Sequence, residues 1–215
     1  MDIFEVFERN ADPVQAKAMS AYMRNMFPFL GIPKPKRKEI SKEFVSQVRR
    51  AKEVDWDFVF ACWEKDEREY QYLGIDVLIA TKKTLTKEDI PRLARAATTK
   101  SWWDTVDHID SLVGDIALAC PDVTHTLIEW STHDSIWLRR IAIDHQLTRK
   151  GRTDTALLAR VIENNLGQTE FFINKAIGWS LREYSKTDPA WVRTFIDAHR
   201  DGLASLSIRE ASKYL

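Results

Sequence analysis

The residues best suited to chemistry lie together in Lys100-Ser101-Trp102-Trp103-Asp104-Thr105-Val106-Asp107, two adjacent tryptophans followed by carboxylates. Trp103 and Asp107 are four residues apart, so on a helix their side chains stand one above the other on the same face. An aromatic plane beside an anion suits a small cationic centre, because ring face and carboxylate both favour positive charge. The same spacing also arises by chance in helical cores, so its meaning depends on the elements that hold it.

Those elements read as helices from one end to the other. Asp12-Pro13 is a good helix start, with Asp as cap and Pro in the first turn, and Val14, Ala18, Tyr22 and Met26 follow at helical spacing. The run Phe27 to Pro35 interrupts the pattern as a packed apolar loop. Lys34 to Lys38 is a basic cluster opening the next helix, which runs to about Arg50, and its plainest reading is a solvated helix start. From Asp55 onward the chain falls into helix pairs. Glu67–Lys82 completes the first of these; the later pairs are 86–98 with 101–120, 122–132 with 135–150, and 154–166 with 170–186. Asp188-Pro189 opens one more helix, and 205–215 closes the chain. Connections are short and built on Asp, Ser, Thr or Pro, as antiparallel neighbours need, and no stretch alternates like a strand.

The second helices repeat. Trp102, Trp137 and Phe172 are spaced 137 − 102 = 35 and 172 − 137 = 35, and four residues on Val106, Ile141 and Ala176 are apolar in each. Helix pairs at such a period mark an α-solenoid, in which each pair buries its apolar face against its neighbours and the second helices line the concave side. The expected fold is therefore all-α and HEAT-like, a single repeat domain over 1–215 with a concave cleft.

Several second helices carry more than packing needs. Lys175 lies 35 beyond Arg140, and Trp179 and Arg182 continue its stripe at i+4 and i+7. Arg149, Lys150 and Arg152 gather at a helix end, where they suit the negative dipole pole and could meet phosphates. Each also has a plain reading: Arg140 and Lys175 as partners of nearby Asp or Glu, Trp179 as core. Asp107 resists one. Its counterparts at +35 and +70 are Ala142 and Ile177, so the repeat expects an apolar residue there. An acid in that place is destabilising unless paired, and Arg140 is the candidate partner. On a straight helical wheel Trp103 and Asp107 do not share the face of Arg140 and Lys175, so superhelical rotation or a shift of a residue or two must bring them together.

Composition narrows the classes. Hydrophobic residues make up 44% and charged residues 30%, ordinary values for a soluble globular protein, and seven glycines with seven prolines are few for a turn-rich β fold. Eight tryptophans leave some for a binding face. The 32 basic and 32 acidic residues cancel, which lends composition no support for a nucleic-acid binder and leaves the local face to decide. Cys62 and Cys120 fall in apolar helical patterns and read as buried thiols of a reducing compartment, without histidine spacing for zinc. The amino-terminal residues lack a signal-peptide plan and no apolar run approaches a membrane span, so a cytoplasmic protein without a membrane partner is expected.

The segments 101–107, Trp137-Leu138-Arg139-Arg140 and Phe171 to Tyr184 closely resemble the AlkD family of alkylpurine DNA glycosylases. So do Tyr22-Met23-Arg24-Asn25 with Phe29-Leu30-Gly31, and Leu206 to Ala211. The resemblance covers nearly the whole chain. It implies a HEAT-like solenoid that holds duplex DNA and removes N3- and N7-alkylated purines, without a metal or other cofactor. It implies Asp107 as the catalytic carboxylate, Trp103 and Trp179 framing the lesion's sugar, and Arg140 holding the backbone, with Tyr22 and Arg182 beside the DNA. Lys175 and Arg149 complete the expected DNA contacts, and Thr148 departs from a lysine that relatives tend to carry. The shortness of the amino-terminal helix is a second departure.

The residues fit that chemistry. A purine alkylated at N3 or N7 is cationic and leaves without a general acid, so the missing contribution is stabilisation of the oxocarbenium-like sugar. A fixed Asp107 supplies it and can orient or deprotonate water, each effect typically on the order of 10²–10³-fold. The expected enzyme is a monofunctional, monomeric hydrolase, and the resemblance implies that, unlike most glycosylases, it leaves the base unextruded. The competing expectation is a catalytically silent solenoid binding DNA structure or a protein, since such arrays are most often scaffolds.

Overall fold

Four of the helix starts read from Asp work as N-caps. The side chains of Asp12, Asp55, Asp154 and Asp188 each accept from a first-turn backbone N–H, a contribution of about 1 kcal/mol apiece. The computed structural model describes residues 2–215 and, among them, fourteen α-helices and no strand. Among the described residues, no helix is long and apolar enough to cross a membrane. The chain divides into two compact units, Met1–Leu85 and Thr86–Leu215.

The first unit holds α1 (Ile3–Arg9), α2 (Pro13–Tyr22), α3 (Lys34–Ile40), α4 (Lys42–Ala51), α5 (Trp56–Glu64) and α6 (Arg68–Ala80). The single helix expected from Lys34 to Arg50 is broken at Ser41, whose hydroxyl donates back to the Arg37 carbonyl at 2.8 Å. Lys34, Lys36 and Lys38 are exposed, as a solvated helix start requires, while Arg37 is buried over the Tyr72 ring and beside Asp76. The loop before α3 is packed. Phe29 and Ile32 are buried, and the buried Glu69 carboxylate accepts from the backbone N–H groups of Leu30, Gly31 and Ile32 at 2.9, 2.8 and 2.9 Å. Gly31 is needed there: its φ is +88°, and a Cβ would stand 2.0 Å from the Asp12 carbonyl oxygen. The Phe29-Leu30-Gly31 motif therefore has a structural reason of its own.

The second unit holds α7 (Ile90–Thr98), α8 (Trp103–Ala119), α9 (Thr124–Trp130), α10 (Ile136–Asp144), α11 (Thr155–Glu163), α12 (Phe171–Ser185), α13 (Pro189–Ala198) and α14 (Ser205–Ala211). The second members of the pairs stack in order, α8 on α10, α10 on α12 and α12 on α14. The 35-residue period has a direct physical expression. Trp102, Trp137 and Phe172 meet at the helix starts with ring centroids 5.9, 5.0 and 5.1 Å apart, and Val106, Ile141 and Ala176 are fully buried one turn on. Aromatic pairs of this type add roughly 0.5–1.5 kcal/mol each beyond burial.

Two further expectations need correction. The helix expected to reach Lys150 ends at Asp144, and the chain turns through residues 145–153 with Thr148 and Lys150 at φ +66° and +55°. Gln146 clamps that turn, donating to the Asp154 carbonyl and accepting from its N–H. Of the two thiols expected to be buried, Cys62 is and Cys120 is only partly so.

Gly114 of α8 lies against the same turn, with room for no Cβ beside the His145 carbonyl, and the His145 ring is buried next to it. Burial, and then the charge of Arg149, push the His145 imidazole down to about 3. An unfolded chain binds that proton near pH 6.5, so stability from this residue falls as pH drops below that value. Between pH 7.5 and 5 we expect the protein to lose about 2 kcal/mol more unfolding free energy than His145→Gln, measured by urea denaturation. Equal losses in the two proteins would contradict a buried neutral imidazole.

Candidate active site

Asp107 projects from the second turn of α8 and meets Arg140 from α10. The guanidinium donates from Nε to Oδ1 at 2.7 Å and from one terminal nitrogen to Oδ2 at 2.9 Å; the other terminal nitrogen donates to the Phe172 carbonyl on α12 at 2.8 Å. Such a fork holds a carboxylate in one plane and one position. Arg140 is 1% exposed and the Asp107 side chain 23%, so the acid faces outward from a base buried beneath it. The length of the arginine resolves the register question: its Cα follows the repeat while its head reaches across to α8.

Two further carboxyls lie under the pair. Asp144, one turn after Arg140, sits 3.7 Å from the guanidinium and is bonded to the Ser180 hydroxyl at 2.9 Å. Asp110, one turn after Asp107, is buried as well. Burial, and then the Asp144 and Asp107 carboxylates, push Asp110 well above the usual carboxylate range. Burial raises Asp144 in the same way against the pull of Arg140. Burial also opposes the charge of Arg140, but Asp144 and Asp107 outweigh it and keep the guanidinium protonated. Asp107 is the one of these three acids that is open to solvent.

Outside this charged centre, Trp103, Asp107, Arg140, Phe171, Phe172, Lys175 and Trp179 line a cavity of about 220 Å³. Trp179 is half-buried, and the charged heads of Arg140, Lys175 and Arg182 lie 5.1, 5.8 and 5.9 Å from its ring centroid. Its indole N–H is buried and meets no hydrogen-bond acceptor among the described residues. Trp179 is thus a wall of the cavity and not core. Lys175 and Arg182 both turn to Glu210 of α14, at 2.9 and 2.6 Å, and Lys213 joins them at 2.8 Å. Those hydrogen bonds, from Lys213 and then Lys175, hold the Glu210 carboxyl down to about 2. The close approach of α14 needs Gly178, where a Cβ would stand 2.6 Å from that of Glu210.

Trp103, Asp107, Arg140, Lys175 and Trp179, read from sequence as a group, therefore share one cavity, with Arg182 at its edge. Arg140 and Lys175 also fulfil their plainer reading, since each has an acidic partner. Arg149 is different. It donates to Gln146 and to the Gly114 carbonyl, tying the 145–153 turn to α8, and it lines a separate polar cavity of about 270 Å³ that touches Asp107 from the other side. Tyr22 belongs to the first unit, exposed at the end of α2. Sequence reasoning passed over Asp110, Asp144, Phe171 and Glu210. Asp144 had a signal, four residues after Arg140, and so did Glu210, since 210 − 175 = 35 repeats the spacing from Arg140 to Lys175.

A family model described as DNA alkylation repair enzyme matches residues 3–215. The chain belongs to the DNA alkylation repair enzyme family. A solved structure described as a predicted DNA alkylation repair enzyme from Enterococcus faecalis is similar at 35% identity with a TM-score of 0.88, covering 95% of this chain and 96% of that one. No curated protein matches the chain. The family relationship gives the chain a setting in DNA repair.

Removing one partner of a buried ion pair leaves the other uncompensated. In this family member Arg140→Met, which keeps bulk but leaves Asp107 and Asp144 without their cation, is expected to lose about 3–5 kcal/mol of stability by chemical denaturation. Asp107→Asn keeps an acceptor at a partly solvated position and is expected to lose distinctly less. Equal losses would mean that Arg140 is not the buried hub.

Proposed function

We propose that this repair-family protein is a monofunctional DNA glycosylase that hydrolyses the glycosidic bond of N3- and N7-alkylated purines in duplex DNA, acting as a monomer. The observation that carries the reading is the fixed, outward-facing Asp107 carboxylate, which shares one cavity with Trp103 and Trp179. An alkylated base carries its own positive charge, so the bond electrons leave with the base and the sugar develops the charge that Asp107 faces. Water then adds to the sugar carbon, and its proton passes to Asp107. The bidentate grip of Arg140 means the carboxylate need not reorient during this step, which is the economy that preorganised charge provides.

One feature favours chemistry on a base left in the stack. At about 220 Å³ the aromatic cavity is smaller than the roughly 300–1,000 Å³ of sites that enclose a whole ligand, and a nucleotide turned out of the helix needs such an enclosure. Lys175 reaches the cavity, but its amine is engaged by the Glu210 carboxylate at 2.9 Å, which argues for hydrolysis without a Schiff base. A second reading, a silent DNA-binding or protein-binding array, draws on the charge pattern: the expected phosphate contacts Lys175, Arg182 and Arg149 all have partners within the protein, and net charge is zero.

Base release from a duplex carrying a single N7-methylguanine separates these readings. Release by the wild type, a fall of roughly 10²-fold or more in Asp107→Asn, and retained duplex binding are the outcomes expected of the glycosylase. Release at the spontaneous rate by the wild type, here and with N3-methyladenine, would leave only the binding array.

A further inference from the structure

Three cations stand within about 6 Å of the Trp179 ring, an odd wall for a cavity meant to receive positive charge. Arg140 is answered by Asp107 and Asp144. Lys175 and Arg182 are answered by one residue, Glu210, which is 5% exposed and accepts from both, with Lys213 as a third partner on its outer side. The fold is shaped to put it there. Gly178, between the two cations on α12, leaves the space that Glu210 enters, and the buried Ser207 hydroxyl donates to the Asn174 carbonyl at 2.7 Å, fastening α14 along α12. A carboxylate placed this way subtracts charge from the cavity wall while leaving the cationic heads, about a quarter exposed each, at the surface.

The geometry points to Glu210 as a specificity-setting residue, an internal counter-ion that lets the Trp179 wall accept a cationic lesion and restrains its grip on undamaged phosphate backbone. The inference rests on the glycosylase reading above. Both effects have the same cause. Without the carboxylate, Lys175 and Arg182 would repel the positive sugar forming beside Asp107 and would attract any phosphate within reach, damaged or not. Glu210 is buried and does not line the cavity, so its role is one of setting the field and position of its two partners.

The test compares Glu210→Gln, which removes the charge, with Glu210→Asp, which keeps the charge and shortens the reach. Binding to an undamaged duplex is followed by anisotropy over a range of salt, and release of N7-methylguanine by single turnover. For Glu210→Gln the expected results are tighter binding to undamaged DNA by roughly 3–10-fold at low salt and a salt slope steeper by about 0.9. Release is expected to slow by roughly 3–10-fold. Glu210→Asp is expected to bind and release within about twofold of wild type. Binding and release that both weaken, equally in the two variants, would make Glu210 a mere brace between α12 and α14 and overturn the proposal, as would an unchanged salt slope in Glu210→Gln. Release by the wild type in the same assay keeps the glycosylase reading intact in either case, so the two can fail separately.

Discussion

The pairing of Arg140 with Asp107 is the constraint on which the rest of the second unit depends. It joins three successive second helices, because the same guanidinium donates to Asp107 on α8 and to the Phe172 carbonyl on α12 while rising from α10. A buried cation with acidic partners is tolerable, and removing the cation strands those acids at a high cost. The helix stack is therefore held in register by the group that also fixes the carboxylate. Asp144 and Asp110 beneath it show how far the protein goes to support one exposed acid with buried ones.

Much of this was legible in the sequence, for reasons that differ by residue. The 35-residue spacing of Trp102, Trp137 and Phe172 gave the helix-pair architecture because repeats must bury the same face against each neighbour. Asp107 announced itself by breaking that repeat, and its pairing with Arg140 followed from the expense of an unpaired acid. What stayed hidden depended on side-chain length and chain direction. A helical wheel places Cα positions, so it left open how Arg140 comes to face the Asp107 it was expected to pair with. Nothing in the local pattern marked Ser41 as a break in the helix over Lys34 to Ala51, or Asp144 as the end of α10, because propensity is weak against tertiary contacts such as the backbone approach at Gly114. Arg149 looked like a free cation from its basic neighbours, and only the fold supplies the Gly114 carbonyl that occupies it.

The zero net charge, which lent no support to a nucleic-acid binder, has a local explanation in the second unit. Its cations near Trp179 are each set against an acid drawn from a neighbouring helix. Charge balance on this face is a matter of placement, helix by helix, and bulk composition is a poor guide to it.

The contact of Trp102, Trp137 and Phe172 with one another has a consequence for how the protein comes apart. In a repeat array each unit touches only the next, and such chains can lose their ends while the middle persists. Here Trp102 and Phe172, two repeats apart in sequence, touch directly at 5.1 Å, past the ring that should separate them. A contact that skips a repeat couples units that would otherwise melt one by one, so α8, α10 and α12 are bound into a single cooperative block, and fraying is left to the elements outside it.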